Sequence, residues 1–299
     1  KLKFAIICLY ECLIIYIIIY WLTIEKISLF PFRIYEKVIC YALVYVITPC
    51  FFIFEMALVR PIVIKHYNYG ILLHAFHVIC GTFCFLNVVG NMIMSIFTNT
   101  SVNKSVRVGE SYCDTCKIIR PAKAWHCKLC NVCILRRDHH CFFLSRCIGL
   151  YNQRYFILYL TYILISLIYS AIYNYYFVLT RIQEYDLVLS LFRIFNPFFR
   201  YMSTEPPSIK DVYVLFLCLN GGLIFWSGLL FIYHVRNAMS GVVARDSRLK
   251  RRLNMTMLKN NLMNIFGTRW YLAIVWPFAE SPLPQDTFGW FVDSVSALI

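Results

Sequence analysis

Long apolar runs separated by short polar stretches organise the chain. They cover residues 4–24, 38–59, 71–97, 155–180 and 212–235. An α-helix needs roughly 20 apolar residues to cross a bilayer, and each run is of that order. A membrane β-barrel would show short alternating segments instead. The pattern predicts an all-α polytopic membrane protein with four core transmembrane helices, two within 38–97 and two within 155–235. The run at 4–24, behind Lys1 and Lys3, lacks the small-residue cleavage site of a secretory leader. It reads as a fifth transmembrane helix within an N-terminal segment 1–37, despite the cost of Glu11 in lipid. Residues 270–278 are apolar but too short to span, and their Trp and Tyr suit the membrane interface. No internal repeat stands out.

Charge sets the orientation. The polar stretch 98–154 carries ten Lys and Arg and the segment 236–269 eight, against two in the connection 60–70 and four in 181–210. Lys and Arg favour the cytoplasmic side. The stretch 98–154 and the C-terminal segment 236–299 are therefore expected in the cytosol, and the connections 60–70 and 181–210 in the lumen. Composition agrees, with 60% of residues hydrophobic and 18% aromatic, against about 45–50% apolar in soluble domains. The net charge of +14 follows from the cytosolic segments. The lipid bilayer is the implied partner, and no nucleic acid is expected.

The 14 cysteines divide evenly. Seven lie in apolar runs, where a buried thiol acts as a small hydrophobe. Cys113, Cys116, Cys127, Cys130, Cys133, Cys141 and Cys147 fall in the polar stretch, where an odd count argues for metal or thiol chemistry over disulfides. A Cys-x2-Cys turn sets two thiolates one tetrahedral edge apart and suits Zn2+. Two such turns, with further Cys and with His126, His139 and His140 close by, make the signal strong. Two closed sites need eight ligands; ten candidates leave two, and one His plus one Cys is the pair nucleophilic catalysis wants. Spacing does not say which ligand serves which metal. Asp138-His139-His140-Cys141 offers a carboxylate, imidazoles and a thiol together. A neighbouring base raises the thiolate population, and a carboxylate can orient that base. On spacing alone, all four residues serving the metals stays an open alternative.

The segment resembles the DHHC cysteine-rich domain of protein S-acyltransferases (palmitoyltransferases). Its two Cys-x2-Cys units lead to Asp138-His139-His140-Cys141, then Cys147-Ile148-Gly149-x2-Asn152 with Phe156. Asn261-x3-Ile265-Phe266-Gly267, Trp276-Pro277-Phe278 and Ser281-Pro282-Leu283-Pro284 are similar to the C-terminal elements of the branch containing mammalian member twenty-four. The likeness runs over residues 38–290. It implies a nucleophile at Cys141, a base at His139 and an orienting carboxylate at Asp138. It implies one structural Zn2+ on Cys113, Cys116, His126 and Cys133, and a second on Cys127, Cys130, His140 and Cys147. Long-chain acyl-coenzyme A, palmitoyl-coenzyme A in particular, would be the co-substrate of a two-step ping-pong exchange through a thioester on Cys141. The acceptors would be proteins with membrane-proximal cytosolic cysteines. Arg136, Arg137 and Arg146 are the candidates for coenzyme A phosphates. An endomembrane location, endoplasmic reticulum or Golgi, goes with this reading.

Three positions depart from the family pattern. Phe143 stands for a usual Trp, Arg146 for Asn, and Val243-Ala244-Arg245-Asp246 for Thr-Thr-x-Glu. Phe143, Val243 and Ala244 support an alternative, a zinc-held membrane scaffold without catalysis, against which Asp138, His139 and Cys141 stand. A RING-type ubiquitin ligase fails on spacing, since the ligands crowd too closely. Within the spans, Asn87 and Asn91 around Gly90 read as helix–helix hydrogen bonding. His74 and His77 read as interfacial, Glu55 as within reach of headgroups, and His234 as lying at the cytoplasmic interface.

Overall fold

The computed structural model describes residues 29–102, 111–121, 123–181, 189–193, 209–244 and 255–284. The run at 4–24 and most of the connection 181–210 lie outside the described residues. Among the described residues, four helices are long and apolar enough to cross a membrane.

The first is composite. α1 (Leu29–Ala42), α2 (Thr48–Phe54) and α3 (Arg60–His66) run end to end through π-helical turns at Leu43–Ile47 and Glu55–Val59. Pro49 and Pro61 sit at the second residues of α2 and α3. A proline cannot donate to the carbonyl four residues back, and a widened turn ahead of it absorbs the missing bond without breaking the rod. The helix begins ahead of residue 38, where the apolar run starts, and runs through most of the connection read at 60–70. α4 (Ile71–Phe97), α5 (Gln153–Arg181) and α6 (Ile209–Ser240) complete the set, with α5 packed between α4 and α6. Ile79, Phe225, Trp226 and Ile232 face outward, an apolar surface suited to lipid.

Polar side chains within the bundle find partners. Glu55 accepts hydrogen bonds from Ser170 (2.8 Å) and Asn174 (2.6 Å), and Asn220 donates to Ser170 (2.8 Å). Glu55 is therefore a buried hub between helices, not a residue reaching for headgroups. The reason is energetic, since an unpaired carboxylate at mid-span costs about 2.5–3.5 kcal/mol or more. His77 is likewise buried against the Tyr169 hydroxyl (2.5 Å), and His74 meets Arg60 (2.9 Å). Asn87 and Asn91 donate back to their own helix, at the Phe83 and Asn87 carbonyls, instead of across to another. Gly90 between them receives the ring of Pro277, where a Cβ would have no room.

The polar stretch folds into three antiparallel hairpins: β1 (Ser111–Cys113) with β2 (Ile118–Arg120), β3 (Trp125–Cys127) with β4 (Val132–Ile134), and β5 (His139–Cys141) with β6 (Arg146–Ile148). Their turns end in left-handed residues, Lys117, Asn131 and Ser145 (φ 57, 55 and 49°). Asn152 anchors this unit to the bundle. Its side chain accepts the Gly149 N–H (2.8 Å) and donates to the Ser95 (2.9 Å) and Cys147 (3.0 Å) carbonyls.

The tail forms α7 (Met255–Phe266) and α8 (Trp270–Val275). Asn261 donates to the Met239 carbonyl at the end of α6 (2.9 Å), beside Gly241 (φ 66°), whose left-handed backbone turns the chain back. Arg154 donates to the Ser281 carbonyl. The tail motifs are thus docking contacts, and α8 leaves Trp270, Tyr271 and Val275 exposed.

Candidate active site and metal centres

The hairpins form a relay. Cys113 and Cys116 sit at the turn of the first hairpin, and His126 faces Cys133 across the second. The His126 Nδ1 lies 3.7, 3.2 and 4.0 Å from the sulfurs of Cys113, Cys116 and Cys133. Cys127 and Cys130 sit at the turn of the second hairpin, and His140 faces Cys147 across the third. The His140 Nδ1 lies 3.6, 3.3 and 3.6 Å from Cys127, Cys130 and Cys147, and the Cys130 and Cys147 sulfurs are 3.7 Å apart.

A tetrahedral zinc at the usual Zn–S and Zn–N lengths sets edges of about 3.6–3.8 Å. Both groups fit it, with three sulfurs and one imidazole nitrogen each and all donor atoms within 4.8 Å. The two groups are also one pattern used twice. Each member of the second lies fourteen residues after its counterpart: 113 to 127, 116 to 130, 126 to 140, 133 to 147. This corrects the reading that no repeat is present. The signal lay in the ligand offsets alone, since the residues between them differ.

Strand alternation sorts the Asp-His-His-Cys tetrapeptide. Successive side chains on a strand point to opposite faces, so on β5 His140 turns to its metal group while His139 and Cys141 share the other face. Both meet Phe156: His139 edge-on at 5.1 Å, Cys141 within one apolar cluster. His139 Nδ1 donates to the Asp138 carboxylate at 2.8 Å, which leaves Nε2 as the free basic nitrogen. Among the described residues no hydrogen bond joins Cys141 Sγ to His139; the shared face and Phe156 bring them together.

Burial alone would raise the Asp138 carboxyl. Hydrogen bonds from His139 and the Ala244 N–H, with the His234 imidazole 3.4 Å away, outweigh it and hold the group well below the usual carboxylate range. Burial lowers His139 against the opposing pull of Asp138, so the imidazole is neutral and able to take a proton at neutral pH. Burial pushes the Cys141 thiol up to about 12, opposed by the Leu144 and Phe143 N–H groups. A buried thiol of that kind needs a base to ionise it.

Two cavities border the apolar cluster that holds Cys141. Leu43 and Tyr159 pack against its cluster and line an apolar cavity of about 260 Å³ between the helices, which reaches Glu55 and Ser170. Leu43 and Glu55 are twelve residues apart, about 18 Å along a helix. On the other side, Cys40 and Leu144 of the same cluster line a cavity of about 430 Å³ with Arg33, Lys37 and Arg146 at its walls. Arg146 pairs with Cys141 across the third hairpin. Of the three arginines named from the sequence, Arg146 lines this cavity. Arg137 turns its guanidinium toward the Cys127 sulfur (3.9 Å), and Arg136 is half-buried, with a left-handed backbone (φ 43°).

Glu36 escaped the sequence reading, and so did the partner of His234, which was read only as lying at the cytoplasmic interface. Glu36, fully buried on α1, places both carboxylate oxygens 3.2 and 3.3 Å from His140 Nε2. His234, on α6, sits 3.4 Å from Asp138. A lone acid or imidazole at the end of an apolar run carries no signal of its target; only its place in the bundle does.

The site thus combines four membrane-length helices, two four-donor Cys/His groups and a buried thiol on the face of an imidazole held by a carboxylate. Residues 106–250 match the family model for the DHHC palmitoyltransferase. The chain is 28% identical over 210 residues to "Probable palmitoyltransferase ZDHHC24" of Rattus norvegicus, covering 67% of this chain and 73% of that one. The Homo sapiens protein of that name is 28% identical over 226 residues, 73% of this chain and 78% of that one. "Palmitoyltransferase ZDHHC15" of Rattus norvegicus is 30% identical over 206 residues, 65% and 53% of the two chains. The chain is thus similar to DHHC palmitoyltransferases over its Cys/His segment and the helices around it.

Proposed function

We propose that the protein moves a long-chain fatty acyl group, palmitoyl above all, from acyl-coenzyme A to cysteines of other proteins through a thioester on Cys141. The observation that carries this is the alternation of β5, which puts His139, held by Asp138, on the face of Cys141 beside an apolar cavity long enough for a fatty chain. His139 takes the Cys141 proton. The thiolate attacks the thioester carbonyl, a bond from carbon to the Cys141 sulfur forms, and the bond to the coenzyme A sulfur breaks. His139 returns the proton to the departing thiolate. A substrate cysteine then repeats the exchange and frees Cys141. Each step trades one thioester for another, so the site mainly supplies position and a thiolate.

The chain of the acyl group would lie along the cavity from Leu43 to Glu55, where burial contributes about 0.8 kcal/mol per CH₂. Arg33, Lys37 and Arg146 would meet the coenzyme A phosphates. The two Cys/His groups would hold zinc in closed four-ligand sites, whose contribution is folding and placement. Incubating the purified protein with labelled palmitoyl-coenzyme A tests the reading: hydroxylamine-sensitive label on the enzyme supports it, and its absence favours the scaffold.

The Cys/His domain is proposed to face the cytosol of an endoplasmic reticulum or Golgi membrane, where acyl-coenzyme A and reduced thiols are found. An engineered glycosylation acceptor in the 181–210 connection is then expected to be modified, and one between Thr98 and Lys104 to stay bare. The opposite pattern would remove the thiol from its substrates.

Glu36 gives a further expectation. A carboxylate on the outer nitrogen of a ligating imidazole fixes its tautomer and raises its basicity, and losing such a partner costs about 10–100-fold in metal affinity. Glu36→Gln should therefore release one zinc at a lower chelator concentration than the native protein does. Unchanged chelator resistance would show that Glu36 merely fills space.

A further inference from the structure

The Asp138 carboxylate has one more partner than the proposed chemistry uses. Oδ2 accepts from His139 Nδ1 at 2.8 Å and also lies 3.4 Å from His234 Nδ1. Oδ1 accepts the backbone N–H of Ala244. His234 and Ala244 stand on either side of the turn at Gly241, where α6 ends. The end of α6 and the turn after it therefore meet both carboxylate oxygens. The two imidazoles lie 4.9 Å apart, tilted by 35°, and both set an edge against Phe156. His234 is 8% exposed. An ionised carboxylate is acceptor-only, so His234 must present Nδ1–H to it.

We propose that His234 is a positioning residue for acyl transfer: its Nδ1–H clamps Asp138 Oδ2, and the clamped carboxylate holds His139 turned toward Cys141. This rests on the reading of Asp138, His139 and Cys141 given above. The physical reason is that a carboxylate gripped at one oxygen only can rotate about its side-chain bond, and His139 would follow. A donor on each oxygen, His234 from α6 and Ala244 from the turn after it, removes that freedom. It also makes the seating of the last membrane helix a condition for an aligned base.

The experiment compares native protein, Cys141→Ser and three His234 variants by thioester formation from palmitoyl-coenzyme A, with zinc content measured on each. His234→Phe keeps a ring against Phe156 but has no donor. His234→Leu, smaller and also without a donor, guards against a misfit of the larger ring. His234→Asn keeps an N–H near the place of Nδ1. The Phe and Leu variants are expected to retain zinc near two per chain, with an unchanged KM. Their kcat should fall at least about tenfold, the scale of one hydrogen bond to a charged group. The Asn variant should recover most of that loss. Native rates in the Phe or Leu variant that holds its zinc would overturn the proposal, as would an Asn variant as slow as they are. So would a loss seen only in KM. A third metal equivalent in the native protein, absent from His234→Phe, would instead make Asp138, His139 and His234 a metal site. Label that persists in Cys141→Ser would overturn the parent reading, which the His234 variants leave untouched.

Discussion

Cys141→Ser is expected to abolish self-acylation while leaving zinc content near two per chain. The hydroxyl is a far weaker nucleophile than the thiolate. Loss of a nucleophile acts on the scale of about a thousandfold or more, so label should fall to background. Zinc should not change, because Cys141 faces away from the His140 group on β5 and belongs to neither set of donors. Metal analysis and hydroxylamine-sensitive labelling of the same preparation check both halves. A mutant that loses one zinc would make Cys141 a ligand and remove the proposed mechanism.

His140→Ala is expected to do the reverse, releasing metal and unfolding the hairpin domain. Its Nδ1 lies within 3.6 Å of three sulfurs, and no other described side chain offers a replacement nitrogen to that group. Structural zinc binding is worth about 10–16 kcal/mol in small domains, against a total stability of about 5–15 kcal/mol for a typical protein. The loss cannot stay local. β3 carries Cys127 of the second group next to His126 of the first, so the freed hairpin also loosens the first group. Zinc per chain should drop to about one or below, with a large fall in thermal stability, and Cys127→Ala should behave alike. A well-folded His140→Ala protein with both zincs would overturn the ligand assignment and make His140 the candidate base.

The opposite consequences of these two neighbouring substitutions trace to the two-residue period of a strand. The tetrapeptide was legible in the sequence as a carboxylate, two imidazoles and a thiol, but the direction of each side chain was not. Direction follows from the pairing of β5 with β6, and pairing depends on a turn at Ser145 whose left-handed backbone no residue type announces. The fourteen-residue offset was present in the letters and is visible once the hairpins supply a reason to compare those positions.

The sequence by itself determined the class of protein and the chemistry it can carry. Continuous apolar runs specify membrane helices because hydrocarbon tolerates little else, and closely spaced cysteines and histidines specify metal groups because the spacing is covalent. Only the tertiary structure decided what the isolated polar residues do. Glu36 and His140 are 104 positions apart, His234 and Asp138 nearly as far, and Glu55 meets two partners on α5 more than a hundred positions away. A buried polar group must find its partner wherever the packing brings one. Which partner that is depends on how the helices are set against each other, a relation no local pattern of residues records.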